Sequence, residues 1–116
     1  SVDGKLRRLW KDARYRAKKG ELPFTLTPKE VKGLWGEQEG RCLLTGELLS
    51  VEGNLEDGKQ NPYAASIDQI EAGKGYTLDN VRVITLQMNY FINVWGLEQA
   101  IRMSKDFLRH QGIYNV

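Results

Sequence analysis

Asp68 and Asn89 are the two side chains whose types and positions could do chemistry together. Asp68 lies near the end of a short strand, in the alternating stretch Ser66-Ile67-Asp68-Gln69-Ile70, and Asn89 falls on a helical segment further along. A carboxylate and a carboxamide brought together are donors for one hard divalent cation, and such a cation beside a basic surface is a device for cutting a phosphodiester. Between them, Gly73 and Gly75 flank Lys74 in a tight turn. No helix follows that turn at once, so a phosphate cradle is not expected there. The chemistry depends on a strand–turn–strand–helix unit that aims both side chains to one side.

Composition limits what such a site can hold. The 116 residues are 41% hydrophobic with three Trp, five Tyr and three Phe, which suits one folded domain with a single modest core. With only Cys42 and His110, a zinc site of thiolates and imidazoles is excluded, and any metal is expected to be held by oxygen. A lone cysteine forms no intrachain disulfide and points to a reducing, cytoplasmic setting. The start, Ser1 to Lys5, lacks the apolar core of a signal peptide, and no run approaches the ~20 apolar residues of a membrane span.

The net charge of +2 conceals a strong asymmetry. Residues 1–19 carry Lys5, Arg7, Arg8, Lys11, Arg14, Arg16, Lys18 and Lys19 against Asp3 and Asp12, a local charge of +6. The remaining nine basic and thirteen acidic groups give the rest of the chain −4. From charge alone, a polyanion contact and a solvated helix face stand about level. Arg7, Arg8, Lys11, Arg14, Arg16, Lys18 and Lys19 are the candidate phosphate contacts, joined by Lys74 in the turn and Arg82 on the second strand.

The positioning elements follow from pattern. Asp3 is the expected cap of a first helix to about Lys19, stopped by Gly20, with Leu6, Leu9, Trp10, Ala13 and Ala17 on its apolar face. Thr27-Pro28-Lys29-Glu30 reads as a capping box opening a second helix that ends near Gly40. Arg41 to Leu49 reads as a hairpin turning at Thr45-Gly46, and Ser50 to Pro62 as a polar loop. Strands are expected at 64–70 and 80–84, then a helix capped by Thr85 to about Asn93, a break at Trp95-Gly96, and a last helix from Leu97 to His110. The last helix has a stripe of Leu97, Ala100, Ile101, Ser104, Phe107 and Leu108. Trp10, Trp35 and Trp95 read as core anchors, Cys42 as a small buried hydrophobe, and His110 as a residue favoured by a helix C-terminus.

Ala65-Ser66-Ile67-Asp68-Gln69-Ile70, Lys74-Gly75-Tyr76-Thr77, Asp79 to Ile84 and Asn89 together resemble the ββα-metal core of His-Asn-His (HNH) endonucleases, especially small phage-type members. Upstream, Ala17-Lys18-Lys19, Leu22-Pro23-Phe24, Leu26-Thr27-Pro28 and Cys42-Leu43-Leu44-Thr45-Gly46 are similar to the lead-in of the same proteins. The resemblance implies an α+β fold: an HNH-like ββα-metal core with N-terminal helices and an extra C-terminal helix. The single domain divides into a basic helical lead-in at 1–40, the hairpin and core at 41–94, and the last helix at 95–116.

The resemblance also implies roles. Asp68 and Asn89 match metal ligands, for Mg²⁺ or Mn²⁺ rather than zinc, and Asn80 matches the central Asn that braces the turn. Gln69 stands where active relatives usually carry a histidine base; an amide can orient a water but cannot take its proton at neutral pH. The implied function is a metal-dependent endonuclease acting on DNA, duplex being the expected form, with Asp68, Gln69, Asn80 and Asn89 at the catalytic site. The alternative is a catalytically impaired, phage-encoded HNH-fold protein that binds DNA or inhibits a protein. A homodimer or protein partner held through the C-terminal helix completes the expectations.

Overall fold

The computed structural model describes residues 1–113 and Asn115. Helix α1 (Val2–Lys19) and helix α2 (Pro28–Glu37) precede strand β1 (Ala65–Gln69). A single 3-10 turn, Leu78–Asn80, leads into strand β2 (Val81–Thr85), helix α3 (Leu86–Ile92), a second 3-10 turn, Asn93–Trp95, and helix α4 (Leu97–His110). The result is an α+β fold whose sheet is one antiparallel pair, with Asp68 directly opposite Arg82.

Local chemistry sets the helix boundaries, with one correction. The cap of α1 is Ser1, whose Oγ accepts from the Gly4 N–H at 3.2 Å; Asp3 lies inside the first turn. A serine caps as well as an aspartate does, so the helix begins earlier than Asp3 suggests, and Asp3 serves the positive end of the helix dipole instead. The α2 capping box forms as expected: the Glu30 N–H donates to Thr27 Oγ1 and the Thr27 N–H to Glu30 Oε1. Thr85 caps α3 by accepting from the Met88 N–H at 3.1 Å. The Arg41–Leu49 hairpin is reduced to one bridge, Arg41 with Leu48, closed by the Cys42 N–H on the Glu47 carbonyl.

Apolar packing holds the two strands between the helices. Leu6, Ala13 and Ala17 of α1 and Val31 of α2 pack with Ile67, Tyr76 and Val81. Cys42, Leu49, Val83 and Ile84 pack with Ile92 of α3 and Ala100 of α4. Trp10 and Trp35 lie against this core, and Trp10 Nε1–H donates to the Leu26 carbonyl at 2.7 Å. Trp95 does not: at 70% exposure in the turn before α4, it anchors nothing in the domain. The α4 stripe also lies largely open, with Ala100 its one buried member. No helix among the described residues is long and apolar enough to cross a membrane.

The turn between the strands is tied to the α1–α2 connection. The Tyr76 N–H donates to the Pro23 carbonyl, and the Thr25 and Leu26 N–H groups donate to the Tyr76 carbonyl. That close passage requires glycine at position 75, where φ is +101° and a Cβ would stand 2.6 Å from the Pro23 oxygen. Gly75→Ala is therefore expected to cost about 2–4 kcal/mol, combining backbone strain with overpacking, read as a lowered urea midpoint. Gly73→Ala, with the same sign of φ but open space around it, should cost only about 1 kcal/mol.

Candidate functional site

One cleft of about 710 Å³ opens between the end of β1, α1 and the α3–α4 turn. Asp68, Gln69, Arg82 and Asn89 line it, together with Arg16 from α1 and Asn93 from the turn after α3. Ser66 and Asp68 share one strand face, about 7 Å apart by strand rise. The Asn89 Nδ2–H donates to Ser66 Oγ at 2.8 Å, which holds the α3 amide against the strand face that also carries Asp68.

Hydrogen bonds fix which end of each amide is committed. Asn89 uses its nitrogen on Ser66, so Oδ1 is its uncommitted atom. Gln69 is committed the other way: its Oε1 accepts from the Gly75 N–H at 2.7 Å, leaving the Nε2 donors. Asn80, 9% exposed, braces the turn completely. Its Nδ2 donates to the Glu71 and Gly75 carbonyls at 3.2 and 2.8 Å, and its Oδ1 accepts from the Glu71 N–H.

Two guanidiniums dominate the electrostatics. Arg82 is 7% exposed and its Nε–H donates to Asp68 Oδ2 at 2.9 Å, a largely buried pair. Arg16 donates to the Ile67 carbonyl at 3.1 Å and to the Tyr76 hydroxyl at 3.4 Å, with its guanidinium over the Tyr76 ring. Both therefore face the cleft from fixed positions. Asp68 Oδ1 and Asn89 Oδ1 remain as oxygen donors. A carboxylate and an amide oxygen fit a hard cation that keeps several waters and takes its remaining ligand from a phosphate. Among the described residues there is no group of three or more His, Cys, Asp and Glu side chains suited to a metal.

The other basic candidates lie outside the cleft. Arg7, Lys11, Arg14 and Lys18 recur at four- and three-residue steps, so they form one exposed stripe along α1. Arg7 and Arg14 lie over the Trp10 ring at 6.0 and 5.4 Å. Arg8 and Lys19 are exposed on the neighbouring flank, with Lys19 over Tyr15. Lys74 is exposed and paired with Glu71 at 2.6 Å; the hydrogen bond and charge of that carboxylate raise its pKa above the usual lysine value.

Arg16 counted in the sequence only as one of seven candidate phosphate contacts in α1, yet it alone of them lines this cleft. Asn93 was read only as the end of its helix and not as a site residue, although it follows Asn89 by four residues, the spacing that places side chains on one helical face. The helix ends before it, and Asn93 takes φ +42°, a strained conformation at the rim of the cleft.

No family model matches the chain, and no curated protein matches it. Among solved structures, it is similar to the rare-cutting HNH restriction endonuclease PacI, from work on that enzyme's mechanism of DNA perturbation. The superposition has a TM-score of 0.64 and 15% identity, and covers 90% of this chain and 78% of the other. At that identity the likeness establishes architecture: this chain has an α+β, HNH-like fold.

Proposed function

We infer that the chain is a metal-dependent nucleic-acid endonuclease whose cleft holds one phosphodiester. The observation that carries this reading is the convergence of Asp68, Asn89, Arg16 and Arg82 on one cleft within an HNH-like fold. Asp68 and Asn89 would hold Mg²⁺ or Mn²⁺, which supplies polarisation of the phosphate and charge neutralisation at the leaving oxygen. Arg16 and Arg82 orient the phosphate and balance its developing charge, and the Nε2 donors of Gln69 bind a phosphate oxygen or the attacking water. Asn80 holds the turn on which Gln69 is mounted.

The deciding experiment incubates the protein with supercoiled plasmid and Mg²⁺ or Mn²⁺, with and without chelator, beside Asp68→Asn. Chelator-sensitive nicking that Asp68→Asn lacks supports the reading. DNA binding with no nicking replaces it with a DNA-binding HNH-fold protein. That second reading is favoured by the bond from Gly75 to Gln69 Oε1, which ties up the only acceptor of the residue beside Asp68.

The stripe on α1 is assigned to the nucleic-acid backbone. Replacing Arg7, Arg14 and Lys18 together by Gln should weaken DNA binding and reduce the log–log salt slope by about 0.9 for each phosphate of duplex DNA no longer neutralised. An unchanged slope in a binding titration would remove the stripe from the interface.

A further inference from the structure

A second groove, of about 280 Å³, continues from the cleft along β1. Arg16 and Ile67 line both, so the two adjoin. Ala65 and Ser66 line the groove three and two residues before Asp68, about 7–10 Å back by strand rise. Asp12 of α1 and the loop residues Asn54 and Gln60 complete its polar lining. A β-bridge holds Asn54 and Gln60 opposite one another. The Gln60 Nε2–H donates to the Tyr90 hydroxyl at 3.3 Å, which ties the loop to α3, the helix that carries Asn89.

The charge of the groove selects its occupant. Arg8 and Arg16 stand four residues either side of Asp12, the spacing of a helical ion pair. Neither closes on it: among the described residues Asp12 belongs to no ion pair. Arg16 is committed instead to the Ile67 carbonyl and the Tyr76 hydroxyl. An unpaired carboxylate beside two carboxamides repels a phosphate and accepts N–H donors. Such a lining turns away the nucleic-acid backbone and suits the edge of a base, whose exocyclic amine donates to a carboxylate and whose paired donor and acceptor match an Asn or Gln amide. At about 3.4 Å per base pair, the groove lies roughly two to three pairs from the phosphate beside Asp68. On the reading of the cleft as a phosphodiester site, on which this rests, we propose that the groove is a base-reading subsite. Asp12, Asn54 and Gln60 there bind an amine-bearing base edge to one side of the phosphate and set a sequence preference.

The test incubates the wild-type chain, in chelator so that nothing is cut, with fully randomised DNA duplexes and sequences the bound fraction. Circular dichroism monitors the folding of each variant, and all three substituted side chains are exposed. One short run of preference is expected, the best base favoured about tenfold over the worst, as for a single good base contact. Asp12→Ala should flatten that preference while affinity for unselected duplex holds or rises, since a negative charge has left the surface. Asn54→Ala and Gln60→Ala should change or flatten the preference within the same run. An analogue of the favoured base that lacks its amine should cost the wild type about tenfold and Asp12→Ala less than about twofold. Binding without any preference, or a preference that Asp12→Ala leaves intact, overturns the subsite and leaves the cleft as a phosphate site. Equal loss of affinity for every sequence in Asp12→Ala also overturns it, because a base reader affects sequences unequally. No binding to any duplex overturns the subsite and the reading of the cleft together.

Discussion

Arg82→Ala is expected to destabilise the domain by about 3–5 kcal/mol, because it strands the Asp68 carboxylate without its partner in a site that is only 15% exposed. Against a total stability of about 5–15 kcal/mol for a domain of this kind, that loss is large. Asp68→Ala should cost a similar amount for the converse reason, leaving a guanidinium that is 8% exposed without its acceptor. The double variant Asp68→Leu/Arg82→Met removes both charges at once and should recover most of the loss, since a buried pair is often replaceable by apolar side chains of similar size. A urea double-mutant cycle reads the coupling directly. Single-variant costs below about 1 kcal/mol would place the pair with exposed ion pairs and reject its structural weight. The consequence for function is practical. Inactivity of Asp68→Ala would mix loss of chemistry with loss of fold, whereas Asp68→Asn keeps an oxygen for the Arg82 Nε–H and removes only the charge.

The elements that position the cleft were legible because each carries its own local signal. The Thr27–Glu30 capping box, the Thr85 cap and the alternation around Ile67 and Val83 act through neighbours in sequence, and the structure forms each of them. Asn80 was legible through resemblance, and it does bridge the turn. What sequence could not supply was pairing between distant residues. Nothing local distinguishes Arg16 from Arg14; only the packing of α1 beside β1 turns one toward the Ile67 carbonyl and leaves the other over Trp10. The Arg82–Asp68 pair likewise depends on strand register, which turns a supposed surface cation into a buried one. Trp95 misled for a related reason: an aromatic side chain reads as a core anchor, and only the packing shows that nothing in the domain covers this one.

Gln69→His tests the same lesson at the residue beside Asp68, on the proposed reading of the cleft as a nuclease site. From sequence alone, an imidazole here looks like the missing base, and a positioned general base typically contributes ~10²–10⁴-fold in rate. The structure changes that expectation. Position 69 lies within reach of the Gly75 N–H, which donates to Gln69 Oε1 at 2.7 Å. An imidazole that accepts this bond at one ring nitrogen carries its proton on the other, because the bond made by one nitrogen sets the tautomer of the ring. The ring would then present N–H to the cleft, the same donor pattern that Gln69 Nε2 presents now. The alternative, a ring swung free, leaves the Gly75 N–H unsatisfied at a buried, close-packed turn, at a cost of about 1–3 kcal/mol. Gln69→His is therefore expected to change the rate of metal-dependent nicking by less than about tenfold and to introduce no base-like break near pH 6.5 in the pH–rate profile. A hundredfold increase with such a break would show that the ring escapes Gly75 and that the absent base was the whole deficit.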